Sequence, residues 1–169
     1  MNISRPLRPI VAVLITLSTF VAGPQIAGAR TSDGHGSRVV AFTLTSEIVG
    51  GDVGCDPSDP TRCAATFRNL QTLQGDFAGT AYQVGSAVLL PGGTYQGQSV
   101  STFAGTIEGC GAGTAVIVET GMLDPATGDS WGTWTITRGQ GTGDLAQLSG
   151  AGSGDTRVSD EITGTIRCH

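Results

Sequence analysis

Apolar and polar side chains alternate with a period of two along most of this chain, and this pattern limits its fold more than any other feature. In the last run, Ile162, Gly164 and Ile166 alternate with Thr163 and Thr165. Such alternation is typical of β-strands with one buried face. No segment beyond residue 29 carries apolar residues at helical spacing for three turns. The sequence therefore predicts an all-β protein.

Glycine- and proline-rich turns separate the predicted strands. The segments Pro91-Gly92-Gly93 and Gly139-Gln140-Gly141 are two of them. Because such short connections join neighbouring strands as hairpins, they favour an antiparallel meander. The expected strands lie at about 39–48, 66–73, 77–90, 95–107, 114–120, 131–138 and 161–168, with a weaker run at about 146–158.

Seven Gly-Thr dipeptides recur, and several fall inside the expected strands. Glycine inside a strand usually marks a bulge or a sharply coiled sheet. A strongly coiled sheet of about eight strands can remove its exposed edges by closing on itself. We therefore predict that residues 38–169 form one small closed antiparallel β-barrel of about eight strands. A sandwich of two sheets is the alternative.

The first 29 residues are predicted to be a cleaved signal peptide. Arg5 and Arg8 precede an apolar run of about 13 residues, and the small residues Ala27-Gly28-Ala29 follow. This is the three-part order of a secretory signal. A membrane anchor is the alternative, but the run is shorter than the roughly 20 residues needed to span a bilayer. We expect a secreted protein, with no membrane contact after cleavage and a flexible tail at residues 30–37.

All four cysteines, at positions 55, 63, 110 and 168, lie beyond the predicted signal peptide. An even number of cysteines in an oxidising compartment indicates disulfides. Of the three pairings, we favour Cys55–Cys63, which closes a short loop, and Cys110–Cys168, which ties the last strand to a mid-chain turn. A zinc site is the other interpretation, but it lacks the usual ligand spacing. We expect no metal site.

The charge of the chain excludes some partners. The formal net charge is −5, and all nine basic residues are arginine, which argues against a nucleic-acid-binding surface. The two histidines, His35 and His169, lie near the chain ends, so we do not expect a catalytic triad. The segment 139–144 lacks the Gly-Lys-Ser/Thr ending of a phosphate loop. No cofactor is expected.

Two aromatic residues are candidates for binding a small ligand. Tyr82 and Trp134 each carry one polar atom on a large apolar group, and both lie in expected strands. Such side chains are common in small-molecule sites, where a few polar groups orient an apolar ligand. The alternative is that both are ordinary core residues.

Glu119 is the remaining candidate, and its role depends on which face of its strand points inward. It shares a face with Ala115 and Ile117. If that face is inward, Glu119 is a weak candidate for a catalytic acid or base and a candidate ligand-binding residue. We favour the alternative, in which Val116 and Val118 point inward and Glu119 is solvated.

Several glycine-rich motifs occur in a set order along the chain. Gly75-Asp76-Phe77-Ala78-Gly79-Thr80 comes first, and Gly105-Thr106-Ile107-Glu108-Gly109 and Gly132-Thr133-Trp134-Thr135-Ile136 follow. Over roughly residues 66–166 this order resembles a bacterial domain family of unknown function whose members look like the allene oxide cyclase and dirigent barrels. The resemblance implies an eight-stranded barrel whose central cavity holds an apolar or phenolic molecule and steers its cyclisation or coupling.

These observations lead to three hypotheses about function. In the first, a secreted barrel binds a small apolar molecule through Tyr82, Trp134 and Glu119 and acts as an isomerase or cyclase, without metal or covalent nucleophile, by restricting the conformation of its substrate. In the second, the same barrel is a non-catalytic carrier. The third is a secreted protein-interaction module with a solid interior. An open interior separates the first two from the third.

Overall fold

The computed structural model describes residues 36–168, with Pro60 by its backbone alone. The predicted signal peptide at 1–29 and residues 30–35 of the predicted tail at 30–37 lie outside the described residues. Within residues 36–168 no helix is long and apolar enough to cross a bilayer. The described chain is all β, as the alternation predicts. Its nine strands are β1 (Ser37–Asp56), β2 (Asp59–Gly75), β3 (Phe77–Leu89), β4 (Tyr95–Ile107), β5 (Gly111–Leu123), β6 (Ser130–Ile136), β7 (Thr142–Gly143), β8 (Ser149–Asp155) and β9 (Ser159–Arg167).

All nine strands belong to one antiparallel sheet, and eight of them form a closed ring. The order is β4-β3-β2-β1-β9-β8-β6-β5, and β5 pairs in turn with β4. The short strand β7 pairs with Gly113 and Thr114 of β5. The predicted closure of about eight antiparallel strands is therefore confirmed at the level of strand pairing. The described strands do not divide into two sheets. We refer to the eight paired strands as the strand ring.

β1 and β2 extend well beyond the strands expected from the sequence. β1 continues to Asp56 and β2 begins at Asp59, whereas the pattern predicted strands at about 39–48 and 66–73. Backbone groups of the two strands pair along this length, with a register shift between Ile48 and Gly50. Backbone pairing does not depend on side-chain alternation, so the glycine- and proline-rich sequence did not prevent it. β1 pairs with β9 only over Ser37–Phe42.

Aromatic side chains fill the interior of the strand ring near the end that carries Cys110 and Cys168. The ring centroid of Phe77 lies 4.6 Å from that of Phe42 and 5.6 Å from that of Phe103. Leu145 and Leu148, between β7 and β8, are buried against the same cluster. Removal of this apolar surface from water, at about 25 cal/mol per Å², stabilises the strand ring.

Two glycines clear the space that Trp134 occupies. Gly152 pairs with Trp134, and Gly164 pairs with Gly152 on the next strand. A Cβ atom on Gly152 would lie 2.6 Å from the Cε2 and Cζ2 atoms of the indole, and a Cβ on Gly164 would overlap Cζ2. These in-strand glycines therefore allow an aromatic side chain to lie flat against the sheet.

Both predicted cysteine pairs are confirmed. Cys55 and Cys63 are disulfide-bonded across the end of the β1–β2 hairpin, with Cα atoms 4.0 Å apart. Cys110 and Cys168 join the β4–β5 turn to the end of β9, with Cα atoms 5.3 Å apart. None of the cysteines in the described chain is free. Each bond therefore lies next to a turn or strand end, and the second one fixes the last strand of the chain.

Candidate functional site

A carboxylate inside the strand ring, that of Glu119, accepts hydrogen bonds from two neighbouring strands. The Ser99 hydroxyl donates to Oε2 over 3.0 Å, and the Ser101 hydroxyl donates to Oε1 over 2.9 Å. Gln83 Nε2 also donates to Oε2. Hydrogen bonds to an ionised acceptor are stronger than those between neutral groups. Neutral donors of the protein therefore replace much of the water that an exposed carboxylate would bind.

The donors around Glu119 are themselves held by polar side chains. Gln83 Nε2 lies 3.0 Å from Ser99 Oγ, and Gln83 Oε1 accepts from Asn69 Nδ2 over 2.6 Å. Ser101 lies 3.3 Å from the side-chain oxygen of Gln71. Buried polar groups are costly unless they are paired. Each of these side chains makes at least one hydrogen bond to another of them, although Asn69 Oδ1 has no partner among the described residues. The polar cluster consists of Asn69, Gln71, Gln83, Ser99, Ser101 and Glu119.

The inward face of β5 is the face that carries Glu119. Ala115 and Ile117 are buried on that face, whereas Val118 is 38% exposed. The expectation that Val116 and Val118 point inward and that Glu119 is solvated is therefore wrong. Glu119 can point inward because the side chains of β3 and β4 around it donate hydrogen bonds to its carboxylate. These bonds offset the cost of removing the carboxylate from water.

Trp134 lies directly opposite Glu119 in the register of β5 and β6. As predicted, it points inward: it is 5% exposed, and its ring centroid lies 6.0 Å from that of Phe42. Its Nε1 atom is buried, and no hydrogen-bond acceptor for it lies within the described part of the chain. The only other such buried side-chain atom in that part is Asn69 Oδ1. Unsatisfied buried polar atoms are rare and call for an explanation.

The inward side chains become very small next to Glu119 on the side away from Cys110. The residues of this row pair with one another in turn from β2 to β8, and none has a side chain larger than a methyl group. We call them the small-residue row: Ala65, Ala87, Gly97, Gly121, Gly132 and Gly154. None of the six is fully buried. The polar cluster is therefore bordered by a part of the strand ring without bulky inward side chains.

Tyr82 does not join the other two predicted site residues. It lies between Ala81 and Gln83, which are both buried on the inward face, and it is itself 43% exposed on the outward face. The expectation that Tyr82 lines the interior is corrected, because successive strand residues point to opposite faces. Glu119 and Trp134 occupy paired inward positions of β5 and β6, and Tyr82 is separated from them by the sheet.

Comparison with known proteins places the chain in a family. Residues 57–165 match the family model described as "Protein of unknown function (DUF3224)". The chain belongs to the DUF3224 family. This confirms the resemblance to a domain family of unknown function. The search of curated proteins returned no match for this DUF3224 protein.

A solved DUF3224 structure has a similar fold. The crystal structure of a protein of unknown function from the DUF3224 family of Shewanella oneidensis MR-1 superimposes with a TM-score of 0.61 and 10% sequence identity. The match covers 79% of this chain and 98% of that chain. At this level of identity the likeness concerns the fold alone.

Sequence reasoning missed most of the polar cluster in this DUF3224 domain. Gln71, Gln83, Ser99 and Ser101 are buried polar residues that the alternation did not single out. A signal was present, because Ser99 and Ser101 share a strand face with Phe103 and so occupy the apolar side of β4. A polar residue at an apolar strand position is the pattern that could have identified them.

The outward face of the DUF3224 domain carries a second ordered group around Trp131. The Arg157 guanidinium lies 3.8 Å from the centre of the Trp131 ring and donates to both carboxylate oxygens of Asp155, over 2.8 and 2.7 Å. The hydrogen bond from Arg157 lowers the pKa of Asp155 below its usual range, and the same bond raises the pKa of Arg157. Arg157 is thus held in place over the indole.

The chemistry available at the polar cluster is hydrogen bonding and proton acceptance. Glu119 offers carboxylate oxygens, and the neighbouring Trp134 offers an unused N–H. Among residues 36–168, no group of three His, Cys, Asp or Glu side chains could hold a metal ion. A bound molecule could therefore donate a hydroxyl hydrogen to the carboxylate and could accept a hydrogen bond from the indole.

Proposed function

We propose that this protein binds a small apolar or phenolic molecule inside the strand ring, with Glu119 and Trp134 contacting its polar end. The observation that carries the proposal is the buried, unpartnered Trp134 Nε1, on the inward face at the position that pairs with the half-buried Glu119. A ligand atom that accepts from Trp134 removes the cost of the unpaired indole N–H, which is about 1–3 kcal/mol for a buried donor, and a ligand hydroxyl can donate to Glu119.

The small-residue row supplies the apolar part of the proposed site. It lies next to the row of inward residues that contains Glu119 and Trp134, and it presents only Cα and methyl groups inward. The aromatic cluster of Phe42, Phe77 and Phe103 lies on the other side of Trp134. An apolar ligand body between such surfaces, with one polar group at its end, has the usual composition of a small-molecule complex.

A set of naphthalene probes tests this proposal by calorimetric titration. 2-Naphthol should bind more tightly than 2-methoxynaphthalene, which cannot donate a hydrogen bond, and more tightly than 2-naphthoate, whose charge Glu119 repels. Glu119→Gln and Trp134→Phe should each weaken 2-naphthol binding, whereas the control Glu47→Gln, at an exposed residue of β1, should not. Equal affinity for 2-naphthol in all four proteins, or no binding of any probe to the native protein, contradicts the proposal.

The resemblance to allene oxide cyclase and dirigent barrels extends the proposal to catalysis. In this form, the enclosed site restricts a flexible polyene or phenolic substrate to one reactive conformation, and Glu119 accepts or returns a proton. Incubation with such substrates, followed by chiral chromatography, separates an isomerase or cyclase from a carrier. A carrier releases its ligand unchanged, whereas an enzyme gives one product stereoisomer in excess, and Glu119→Gln abolishes that excess.

The outward face favours a second candidate, a protein-interaction module. Tyr82, Val84 and Val100 are 43–48% exposed on β3 and β4, and exposed apolar side chains on adjacent strands are common in interaction surfaces. Substituting Tyr82 and Val84 by serine should then abolish capture of a secreted partner while 2-naphthol binding is unchanged. Unchanged capture argues against this candidate.

The proposal includes export of the protein. Its support is the three-part pattern of residues 1–29 and the two disulfides, which are typical of oxidising compartments. Mass spectrometry of the protein recovered from culture medium should give a chain that begins at Arg30 and carries no free thiol. A chain that is retained in the cell with its first residues intact contradicts export.

A further inference from the structure

Glu119 carries the only formal charge in the polar cluster. The other members of the cluster are asparagine, glutamine and serine side chains, which are neutral. Within residues 36–168, every residue that the structure buries is apolar, glutamine or serine. The negative charge of Glu119 is therefore not balanced by a positive charge among the side chains buried with it.

The cationic side chains of the described chain do not pair with Glu119. The ion pairs within residues 36–168 join Arg38 and Arg157 to other carboxylates. A half-buried charge without a counter-charge costs free energy, because water solvates it only in part. The hydrogen bonds from Gln83, Ser99 and Ser101 reduce this cost, but neutral donors leave the net charge inside the strand ring unchanged.

Solvent reaches Glu119 from one end of the strand ring. Exposure increases along the inward face of β5, where Ala115 and Ile117 are buried, Glu119 is half-buried and Leu123 is 42% exposed. Gly121, between Glu119 and Leu123 on that face, has no side chain that could cover the carboxylate. The interior is therefore filled on the Ile117 side of Glu119 and accessible on the Leu123 side.

The inward positions beyond the small-residue row are apolar. Tyr95 pairs with Leu89 of β3 and with Leu123 of β5. Each of the three lies two residues beyond a member of the small-residue row, so they share its face. We call Leu89, Tyr95 and Leu123 the apolar rim, and none of them is fully buried. Along β5 the rim lies roughly 13 Å from Glu119, so a ligand that spans this distance has a polar end and an apolar body.

We propose that the polar end of the ligand is an ammonium group that pairs with Glu119. This inference rests on the function proposed above, because it names the chemical class of the ligand for the same site. A protonated amine supplies the positive charge that the polar cluster lacks. It also donates a hydrogen bond between two charged groups, which is stronger than one from a neutral hydroxyl. The acceptor for Trp134 Nε1 remains a separate, neutral atom of the ligand.

The net charge of the chain favours the same class of ligand. Because the formal net charge is −5, the electrostatic potential around the protein attracts cations and repels anions. This general attraction is not specific to the interior, and salt at about 0.15 M screens it over about 8 Å. A test of the site therefore needs that salt concentration and a control variant that changes the surface charge by the same amount.

Calorimetric titration with two naphthalene probes that differ in one group tests this proposal. 2-(Aminomethyl)naphthalene is a cation at neutral pH, and 2-(hydroxymethyl)naphthalene is a neutral molecule of nearly the same shape. In about 0.15 M salt, the native protein should bind the amine at least about tenfold more tightly than the alcohol. Glu119→Gln should remove this preference, because the amide keeps the shape of the side chain and loses its charge.

Glu47→Gln is the matched control, because it removes the same charge from an exposed position of β1 and should leave the preference for the amine unchanged. The two probes are compared on the native protein, so the test stays valid even if Glu119→Gln folds poorly. If the alcohol binds and the amine binds no more tightly, this inference is overturned and the proposed function stands. A preference for the amine that persists in Glu119→Gln also overturns it. If neither probe binds, both this inference and the proposed function fail.

Discussion

Glu119 and Trp134 occupy paired positions of β5 and β6, and within the described chain only the Glu119 side chain has hydrogen-bond partners. Ser99, Ser101 and Gln83 donate to the carboxylate of Glu119, whereas Trp134 Nε1 donates to no atom of the described chain. The described chain thus pairs the half-buried carboxylate of Glu119 and leaves the buried indole N–H of Trp134 without an acceptor. A buried donor without an acceptor is rare in folded proteins.

Ser101→Ala should destabilise the protein through the polar cluster. Ser101 is fully buried and donates to Glu119 Oε1 over 2.9 Å, so the variant removes one donor from a carboxylate that has few others. Hydrogen bonds to charged groups contribute about 1.5–3 kcal/mol, and the free energy of unfolding should fall by that amount. Urea denaturation measures it. The control Ser153→Ala, at an exposed position, should lower the free energy of unfolding little. Equal losses in the two variants would show that the hydrogen bond of Ser101 in the polar cluster does not stabilise the protein.

Gly164→Ala should be among the most damaging small substitutions. Its Cβ would overlap Cζ2 of Trp134 and lie 2.8 Å from the Cα of Gly152, so β9 or the indole must move. Overpacking of this kind typically costs about 1–3 kcal/mol, which thermal and urea denaturation can resolve. The control is Gly54→Ala, where a Cβ meets no atom within 4 Å. A Gly164→Ala protein as stable as the control would mean that Trp134 repacks freely.

Removing the two disulfides separately should give unequal losses. Cys110 and Cys168 are 58 residues apart, and Cys55 and Cys63 are 8 apart. When a disulfide is treated as a restriction on the entropy of the unfolded chain, Cys110–Cys168, which closes the longer loop, contributes about 4 kcal/mol, and Cys55–Cys63 contributes about 2.5 kcal/mol. Replacing each pair by serine and measuring the free energy of unfolding tests this order. The reverse order would show that the β1–β2 hairpin, and not the end of β9, limits stability.

Acid should release Arg157 from Trp131. The pKa of Asp155 is lowered in the folded protein by the hydrogen bond from Arg157. The stability that this bond contributes is therefore fully present above the unfolded pKa of about 3.9 and is lost as the pH falls through the lower folded pKa. The fluorescence of Trp131 should change in that acidic range. Asp155→Asn should show the changed fluorescence already at neutral pH, and an acid transition that persists in this variant would assign it to another group.

The sequence predicted strand positions better than strand faces. β4 was expected at 95–107 and is found at Tyr95–Ile107, because turns at both ends and clear alternation define it. On β3, however, the more apolar face is the outward one: Tyr82 and Val84 are exposed, whereas Ala81 and Gln83 are buried. Large inward side chains from other strands, such as Phe103, share the interior with β3, so the volume left for each inward position of β3 is limited. Alternation alone carries no information about this volume limit.

The candidate site was predictable only in part for the same reason. Trp134 was expected to point inward and does, but the orientation of Glu119 depends on donors that come from other strands. Ser99 lies 20 residues before Glu119 and Gln83 lies 36 before it. Their meeting depends on the register between β3, β4 and β5. The pattern of residues on β5 alone could not show that donors from β3 and β4 would pair with the carboxylate on its inward face.

The pairing of β1 with two different strands gives its two parts different roles. From Ser37 to Ala41 its only paired strand in the described chain is β9, from Thr43 to Asp56 it is β2, and Phe42 pairs with both. β1 therefore joins β9 to β2 through two stretches that overlap at a single residue. Because Phe42 belongs to the aromatic cluster, fraying that starts at the Asp56 end of β1 can expose amide protons there while this overlap stays protected from exchange.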